Sequence, residues 1–175
     1  PLLFLPYLNG ERTPYWNPAL RGAFIGLNRR HAATDLAYAV MEGIGFHNRI
    51  ILERAETATG LTIDEIRFGG GASVNALWCQ IKADICQRPV VVGKVKEPGL
   101  LGTAAVIWTG LGHYPSLDKA QQAMVKTSAS YSPDASRSTA YDKLFAQFKI
   151  AEQALVPVST ALADMPFVVP LVSGE

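Results

Sequence analysis

Three consecutive glycines form the feature of this sequence most typical of a binding site. Gly69, Gly70 and Gly71 follow an apolar run that ends at Phe68, and a helical pattern begins shortly after them. A backbone without Cβ atoms can approach a phosphate closely, and the N–H groups at a helix start favour an anion. A tight turn that needs positive φ would use the same glycines without any ligand. The spacing matches neither a Walker A loop nor GxGxxG, so the residues alone leave both interpretations open.

Asn75 lies at the predicted start of the helix that follows the glycines. A side-chain amide at this place could hydrogen-bond the edge of a nucleotide base. It could instead accept hydrogen bonds from the backbone N–H groups of the first helical turn, as asparagine commonly does there. From the residue alone, the capping role is favoured.

Composition and charge exclude several classes of partner. The chain has 175 residues, 49% of them hydrophobic, with 16 basic residues against 15 acidic ones. A net charge of +1 gives no reason to expect nucleic acid or an anionic membrane as a partner. No apolar run approaches the roughly 20 residues of a membrane-spanning helix. We therefore expect a globular domain that binds neither nucleic acid nor a membrane.

The cysteines and histidines predict a reduced protein without a metal site. Cys79 and Cys86 lie seven residues apart in one helical stretch, so their Cα atoms would be ~10.5 Å apart along the axis. That distance exceeds the ~7 Å limit for a disulfide, and reduced cysteines suit a cytoplasmic protein. His47 and His113 belong to no CxxC or HxxxH pattern. His47 is expected to be a packed core residue.

Apolar periodicity predicts strands that alternate with helices, an order typical of an α/β layered domain. It is compatible with the ribonuclease H-like, actin-like ATPase fold and does not exclude a doubly wound nucleotide-binding domain. Predicted strands are residues 2–5, 21–27, 65–68 and 90–92. The first predicted helix is capped by Thr34 or Asp35 and reaches Thr59, with Gly60 as its stop. The others are residues 74–86, 102–111, a short one capped by Ser116, and 138–154. The buried face of the first helix should comprise Leu36, Val40, Ile44, His47 and Ile51. No structure is predicted for the tail, residues 156–175.

Two neighbouring motifs resemble those of the FGGY family of carbohydrate kinases. Residues 22–27 (Gly-Ala-Phe-Ile-Gly-Leu), a gap of seven residues, and residues 35–42 (Asp-Leu-Ala-Tyr-Ala-Val-Met-Glu) resemble the family's C-terminal signature. Residues 4–14 resemble the segment that precedes this signature in xylulokinases. Residues 14–18, followed by Arg-Gly at 21–22, are closer to glycerol kinases.

The glycine turn belongs to a third motif of the same family. Residues 69–73 resemble the adenine-nucleotide turn, and four residues resemble the helix that follows it: Trp78, Gln80, Ala83 and Asp84. Residues 98–105 depart from the family's usual Ala-Leu-Gly-Ala-Ala run. Because Gly102 and Ala105 keep small residues there, we interpret the change as one of packing. The resemblance extends over residues 3–155.

The resemblance implies both a fold and an activity. In that family two actin-like domains enclose a cleft, and the γ-phosphoryl group of ATP moves to a sugar hydroxyl. This chain would be the C-terminal portion of such a two-domain sugar kinase, with its nucleotide-side domain over residues 1–155, incomplete at its N-terminus. Gly70, Gly71 and Ala72 would lie beside the nucleotide, and Asn75 near adenine. The expected partners are ATP or ADP and a small sugar held through the missing N-terminal domain; a homodimer is left open.

No catalytic residue is predicted in this chain. Family members carry the aspartate base and the sugar contacts upstream of the matched segment, and Mg²⁺ would be held mainly by that missing half and by the nucleotide. The isolated chain is therefore expected to be inactive. Four carboxylates have structural explanations as helix-start, turn, mid-helix and loop residues: Asp35, Asp64, Asp84 and Glu97.

Two questions are left open by the residues. The favoured substrate is a ketopentose such as xylulose, with glycerol or gluconate as alternatives, and a non-catalytic nucleotide-binding module is the alternative from another class. The loop of residues 11–13, with Trp16, could line the cleft, since an arginine such as Arg12 can clamp phosphate oxygens. A surface loop in which Arg12 pairs with Glu11 or with solvent is the favoured interpretation.

Overall fold

The computed structural model describes residues 1–166; residues 167–175, part of the predicted tail, lie outside the described chain. Two compact units are formed, one by residues 1–47 with the described residues from 143 onward, the other by residues 48–142. In residues 1–166 no helix is both long and apolar enough to cross a membrane. In chain order the elements are β1 (Leu3–Leu5), β2 (Ala23–Ile25), α1 (Ala33–Thr59), β3 (Ile66–Phe68), α2 (Ala76–Cys86), β4 (Val90–Gly93), α3 (Pro98–Gly110), α4 (Leu117–Met124), β5 (Thr127–Tyr131) and α5 (Ala135–Asp164).

The first unit packs the opening half of α1 against a two-stranded sheet. β1 and β2 pair antiparallel, with Phe4 opposite Phe24. Phe46 of α1 lies 5.3 Å from Phe148 of α5, measured between ring centroids. Both of these phenylalanines are almost completely buried, so aromatic packing joins α1 to α5 within this unit.

The buried face of α1 is not the predicted one. Its most deeply buried side chains include Ala39, Phe46 and Ile50, and the predicted face is only half-buried (Leu36, Val40, Ile44, His47 and Ile51). The cause is Gly43, which is buried and lies on the same stripe as Ala39. A Cβ added there would overlap the carbonyl oxygen of Phe4. Helix α1 therefore approaches the β1 backbone at Gly43. Because glycine does not contribute to a hydrophobic pattern, the sequence did not indicate this face.

The second unit is built on a three-stranded sheet of order β3-β4-β5, in which β3 and β4 are parallel and β4 and β5 antiparallel. α2 covers one face of this sheet, where Cys79 and Ala83 pack with Val90 and Val92 in a buried core. β5 was not predicted, because its sequence, Thr-Ser-Ala-Ser-Tyr, has little apolar alternation. It is held by backbone pairing with β4 at the sheet edge, and its Ala129 and Tyr131 pack against the buried core. Cys79 and Cys86 are buried and form no disulfide, as their spacing in one helix predicts.

Helix α5 is longer at both ends than predicted. It begins at Ala135 instead of residue 138, because the Asp134 carboxylate accepts hydrogen bonds from the N–H groups of Ser136 and Arg137. It ends at Asp164 instead of residue 154 and contains Pro157. Proline removes one backbone hydrogen bond from a helix and often ends it. Here the helix continues beyond the proline, and Ser159 is buried there.

Candidate functional site

The glycine turn joins β3 to a single turn of 3₁₀-helix, residues Gly71–Val74, which leads into α2. Gly70 has φ +85° and ψ −173°, a conformation that is essentially restricted to glycine. Its carbonyl oxygen accepts hydrogen bonds from the N–H group and the hydroxyl of Ser73, at 3.1 and 2.7 Å. The Cys79 thiol in turn donates to the Ser73 carbonyl oxygen at 3.4 Å. The turn is thus held in one shape by its own hydrogen bonds.

The three glycines differ in why the chain itself would require them. A Cβ at Gly69 would lie 2.9 Å from Cγ of Pro98, so this glycine permits close packing against the start of α3. Gly70 is required by its positive φ. Gly71 has neither constraint, because its φ lies outside the left-handed range and no atom lies within 4 Å of an added Cβ. The fold of the described chain gives no reason for a glycine at this position.

Asn75 caps α2. Its side-chain oxygen accepts a hydrogen bond from the Trp78 backbone N–H at 3.1 Å, and its backbone is extended, with φ −88° and ψ 103°. This is the role that the residue alone favours. The side chain is nevertheless exposed, so a base contact by the amide nitrogen stays a prediction.

Beside the turn, one side of α2 carries a buried lysine that the sequence did not single out, together with the predicted Trp78. The buried Lys82 places its ammonium 4.7 Å from the centre of the Phe68 ring and also donates to the Asn48 side chain. Burial lowers the pKa of Lys82. The indole N–H of Trp78 is buried without a hydrogen-bond partner among the described residues, and the ring meets Phe68 edge-on. A lysine in mid-helix gives no sequence signal of such burial.

An open cavity of about 980 Å³ lies in the second unit, between the strand ends of its sheet and α3 and α4. Gly69 and Pro98 contribute to its wall, but none of the predicted nucleotide residues (Gly70, Gly71, Ala72 and Asn75) does. Its lining is mostly apolar, with Leu101 and Ala105 from α3. The predicted residues therefore line an exposed turn beside this cavity and not the cavity itself.

The predicted surface loop near the N-terminus is anchored inside the first unit. The Glu11 carboxylate lies 3.2 Å from Nε2 of His47 and accepts a hydrogen bond from the Thr13 N–H at 2.7 Å. No contact between Glu11 and Arg12 is found in the described chain. Trp16 is 77% exposed and has φ +50°. The loop lies at the surface of the described chain, but Glu11 contacts His47 and not Arg12. His47, which was expected in the core, is half-buried and lies beside the Glu11 carboxylate.

A buried carboxylate supports the same loop. Glu152 accepts hydrogen bonds from the hydroxyl groups of Tyr7 and Tyr15, the second at 2.6 Å. Burial and the neighbouring Glu152 carboxylate raise the pKa of Tyr7. Because both tyrosines belong to the N-terminal segment and Glu152 to α5, these bonds fix the loop to the helix.

Two of the four carboxylates expected to be structural have visible structural roles. Asp35 accepts a hydrogen bond from the Ala32 N–H at 2.8 Å, at the start of α1. The buried Asp84 accepts hydrogen bonds at 2.8 Å from Gln80 and from the Asp134 N–H, and pairs with Arg137. These contacts tie α2 to the start of α5. Among residues 1–166, no group of three or more His, Cys, Asp or Glu side chains is placed to hold a metal ion.

Comparison with known proteins gives consistent matches. Residues 1–109 match the C-terminal domain of the FGGY family of carbohydrate kinases. The chain is 32% identical over 151 residues to a xylulose kinase of Staphylococcus epidermidis, covering 85% of this chain and 30% of that protein. A glycerol kinase of Citrifermentans bemidjiense is 38% identical over 109 residues, which cover 62% of this chain and 22% of that protein. The crystal structure of ligand-bound xylulose kinase from Lactobacillus acidophilus is similar at a TM-score of 0.80 and 31% identity, over 92% of this chain and 32% of that one.

The chain belongs to the FGGY family of carbohydrate kinases. The predicted α/β fold class, ribonuclease H-like and of the actin-like ATPase type, is confirmed by these matches, and residues 1–109 match the family's C-terminal domain. The chain spans about 30% of the length of the Staphylococcus epidermidis relative.

Proposed function

We propose that the full-length protein carrying this chain transfers the γ-phosphoryl group of ATP to a sugar hydroxyl, and that this chain supplies the adenine-nucleotide side of the site. The observation that carries the proposal is the family match over residues 1–109, which includes the glycine turn. A ketopentose such as xylulose is the favoured substrate, with glycerol or gluconate as alternatives. The reduced, buried cysteines suit a cytoplasmic enzyme.

The geometry of the glycine turn supports a ligand at this place. Gly70 exposes backbone in a conformation open only to glycine, and Gly71 leaves an open space that no described atom fills. Phosphate and ribose need such close backbone approach. In this proposal Gly70, Gly71 and Ala72 contact the nucleotide phosphates or ribose, and Asn75 contacts the base.

Phosphoryl transfer depends on positioning, on charge stabilisation by Mg²⁺, and on a base for the attacking hydroxyl. Residues 69–75 contain no carboxylate, and Asp35 and Asp84 are engaged in structural hydrogen bonds. We therefore assign no catalytic residue to this chain and expect the base, the sugar contacts and the protein ligands of Mg²⁺ outside it. The uncharged helix α3, where Leu100 is 71% exposed, supports a role as part of a larger protein.

A coupled assay tests the proposal. The full-length protein, given ATP and Mg²⁺, should phosphorylate xylulose, glycerol or gluconate. Residues 1–175 alone, checked for folding by circular dichroism, should show no turnover above the ATPase background. Activity of residues 1–175 would contradict the absence of catalytic residues here. Nucleotide binding by the full-length protein without turnover of any of the three substrates would favour a non-catalytic nucleotide-binding module.

A further inference from the structure

Helix α2 carries two hydrogen-bond donors on the side that faces β3. Trp78 and Lys82 lie four residues apart, so they share one face of the helix. Both pack around Phe68 of β3: the Trp78 ring meets it edge-on, with 6.4 Å between ring centroids, and the Lys82 ammonium lies 4.7 Å from the ring centre. The neighbouring Cys79 and Ala83 pack in the core with β4. The two donors therefore lie beside β3, the outer strand of the described sheet.

The charge on Lys82 lacks a counter-charge within the described chain. Its side chain is only 5% exposed. An ammonium has three hydrogens to donate, and the hydrogen-bond acceptor that it meets among residues 1–166 is the neutral amide oxygen of Asn48. Burial raises the pKa of the nearby Cys79 and Cys86 thiols, so they stay neutral at pH 7. Because a buried ammonium without a counter-charge is strongly unfavourable, Lys82 needs an anion that residues 1–166 do not supply.

The Trp78 indole is a second, independent donor without an acceptor. Its N–H group is buried and has no hydrogen-bond partner among residues 1–166. Buried polar groups are nearly always paired in native proteins, and an indole N–H can only donate. Two donors on one face of α2 thus require acceptors from the same side.

A carboxylate from another segment of the full-length protein meets these requirements better than a free anion does. It carries the charge that Lys82 lacks, and its two oxygens accept hydrogen bonds. A segment of the same protein is present at a high effective concentration, whereas a dissolved anion would have to leave water for a site that is almost completely buried. Because the chain spans about 30% of the length of the Staphylococcus epidermidis relative, a full-length protein of that size has further segments that could supply the carboxylate.

We propose that Lys82 and Trp78 form a docking site for an acidic segment of the full-length protein that lies outside this chain. An aspartate or glutamate carboxylate of that segment pairs with the Lys82 ammonium. A carboxylate or main-chain carbonyl oxygen of the same segment accepts a hydrogen bond from the Trp78 indole N–H. The contact fastens the segment to α2 beside β3, and it uses none of the residues that we assign to the nucleotide.

Replacing the lysine distinguishes a paired from an unpaired charge by the sign of the effect. In the full-length protein, Lys82→Met keeps the length of the side chain but leaves the partner carboxylate buried and unpaired. The equilibrium constant for unfolding, measured by urea denaturation, should therefore rise about a hundredfold or more. If Lys82 had no partner, the substitution would remove an unpaired buried charge, and the constant would fall or stay unchanged.

Lys149→Met is the matched control for the loss of a lysine that lies over an aromatic ring. Lys149 is exposed, and its ammonium lies 4.6 Å from the centre of the Phe145 ring. Its replacement should change the unfolding constant by no more than about fivefold, as for an exposed cation–π contact.

A second substitution and a crystal structure identify the partner. In the Lys82→Met background, each acidic residue outside this chain is replaced by its amide, and one such change should recover at least about tenfold in the unfolding constant. A crystal structure of the parent full-length protein should show that carboxylate within about 4 Å of Lys82 Nζ, and it decides alone if Lys82→Met fails to fold. A water or small ion as the only further contact of Lys82, a contact from a second copy, or an unfolding constant that does not rise in Lys82→Met would overturn the inference. None of these outcomes affects the proposed phosphoryl transfer.

Discussion

Replacing Gly71 by valine in the full-length protein should weaken nucleotide binding while leaving the fold intact. Gly71 is unusual among the three glycines, because its φ is ordinary and an added Cβ meets no atom of residues 1–166 within 4 Å. A Cβ can therefore be added at this position without a clash inside the described chain. It would, however, occupy the open space that we assign to a phosphate or ribose.

Two magnitudes follow from this geometry. The free energy of unfolding of Gly71→Val should change by no more than about 0.5 kcal/mol, as for substitutions that touch nothing. ADP affinity should fall at least about tenfold, equivalent to about 1.4 kcal/mol, because the ligand must move or the side chain must be displaced. Affinity for the sugar should change little.

Gly70→Ala is the matched control. Gly70 has φ +85°, so alanine there is strained and should cost about 1–3 kcal/mol of stability, although no atom lies within 4 Å of its added Cβ. Thermal melting should thus show a lower melting temperature for Gly70→Ala but not for Gly71→Val.

The assay is calorimetric titration of each folded variant with ADP. A well-folded Gly71→Val protein with unchanged ADP affinity would refute the reasoning, since the open space would then not be occupied by nucleotide. Loss of the fold in Gly71→Val would also contradict it, because the structure provides no steric cause.

Two further predictions concern stability. Gly43→Ala should destabilise the protein by about 1–3 kcal/mol or more in urea denaturation, because its Cβ would overlap the Phe4 carbonyl oxygen. The control is Gly102→Ala, at an exposed position where no described atom lies within 4 Å of the added Cβ; it should be neutral or slightly stabilising. Equal effects of the two substitutions would argue against the α1–β1 contact. Burial raises the pKa of Cys86 from 9.0 to about 11, so the folded state keeps a proton that the unfolded state loses, and the free energy of unfolding should fall as pH rises through that window. In Cys86→Ala the free energy of unfolding should fall less steeply with pH over the same range. An identical slope in the two proteins would contradict this prediction.

Local sequence features predicted the parts of this protein that depend on local interactions. Gly60 has φ +68° immediately after the end of α1, and Ser116 caps α4 through a bond from the Lys119 N–H. The alternation of strands and helices and the FGGY motifs indicated the fold class and the family. Each of these depends on residues close together in the chain.

The C-terminal part of helix α5 and the whole of strand β5 were predicted poorly because their stability is not local. The helix continues beyond Pro157, and β5, a polar strand, exists because it pairs with β4. The altered motif of residues 98–105 is a similar case, because we interpreted its Gly102 as allowing close helix packing. No atom of the described chain lies within 4 Å of a Cβ added at Gly102, so the described chain contradicts that interpretation.

At the candidate site, the sequence by itself determined that a glycine turn precedes a helix that begins near Asn75. Only the tertiary structure decided what each residue is for. It assigned Gly69 to contact with Pro98 and Gly70 to positive φ, and it showed no role for Gly71 within residues 1–166. In the sequence these three glycines are the same residue type and cannot be told apart. Their roles differ because backbone angles and distant neighbours, which no pattern of residue types records, set the space around each Cα.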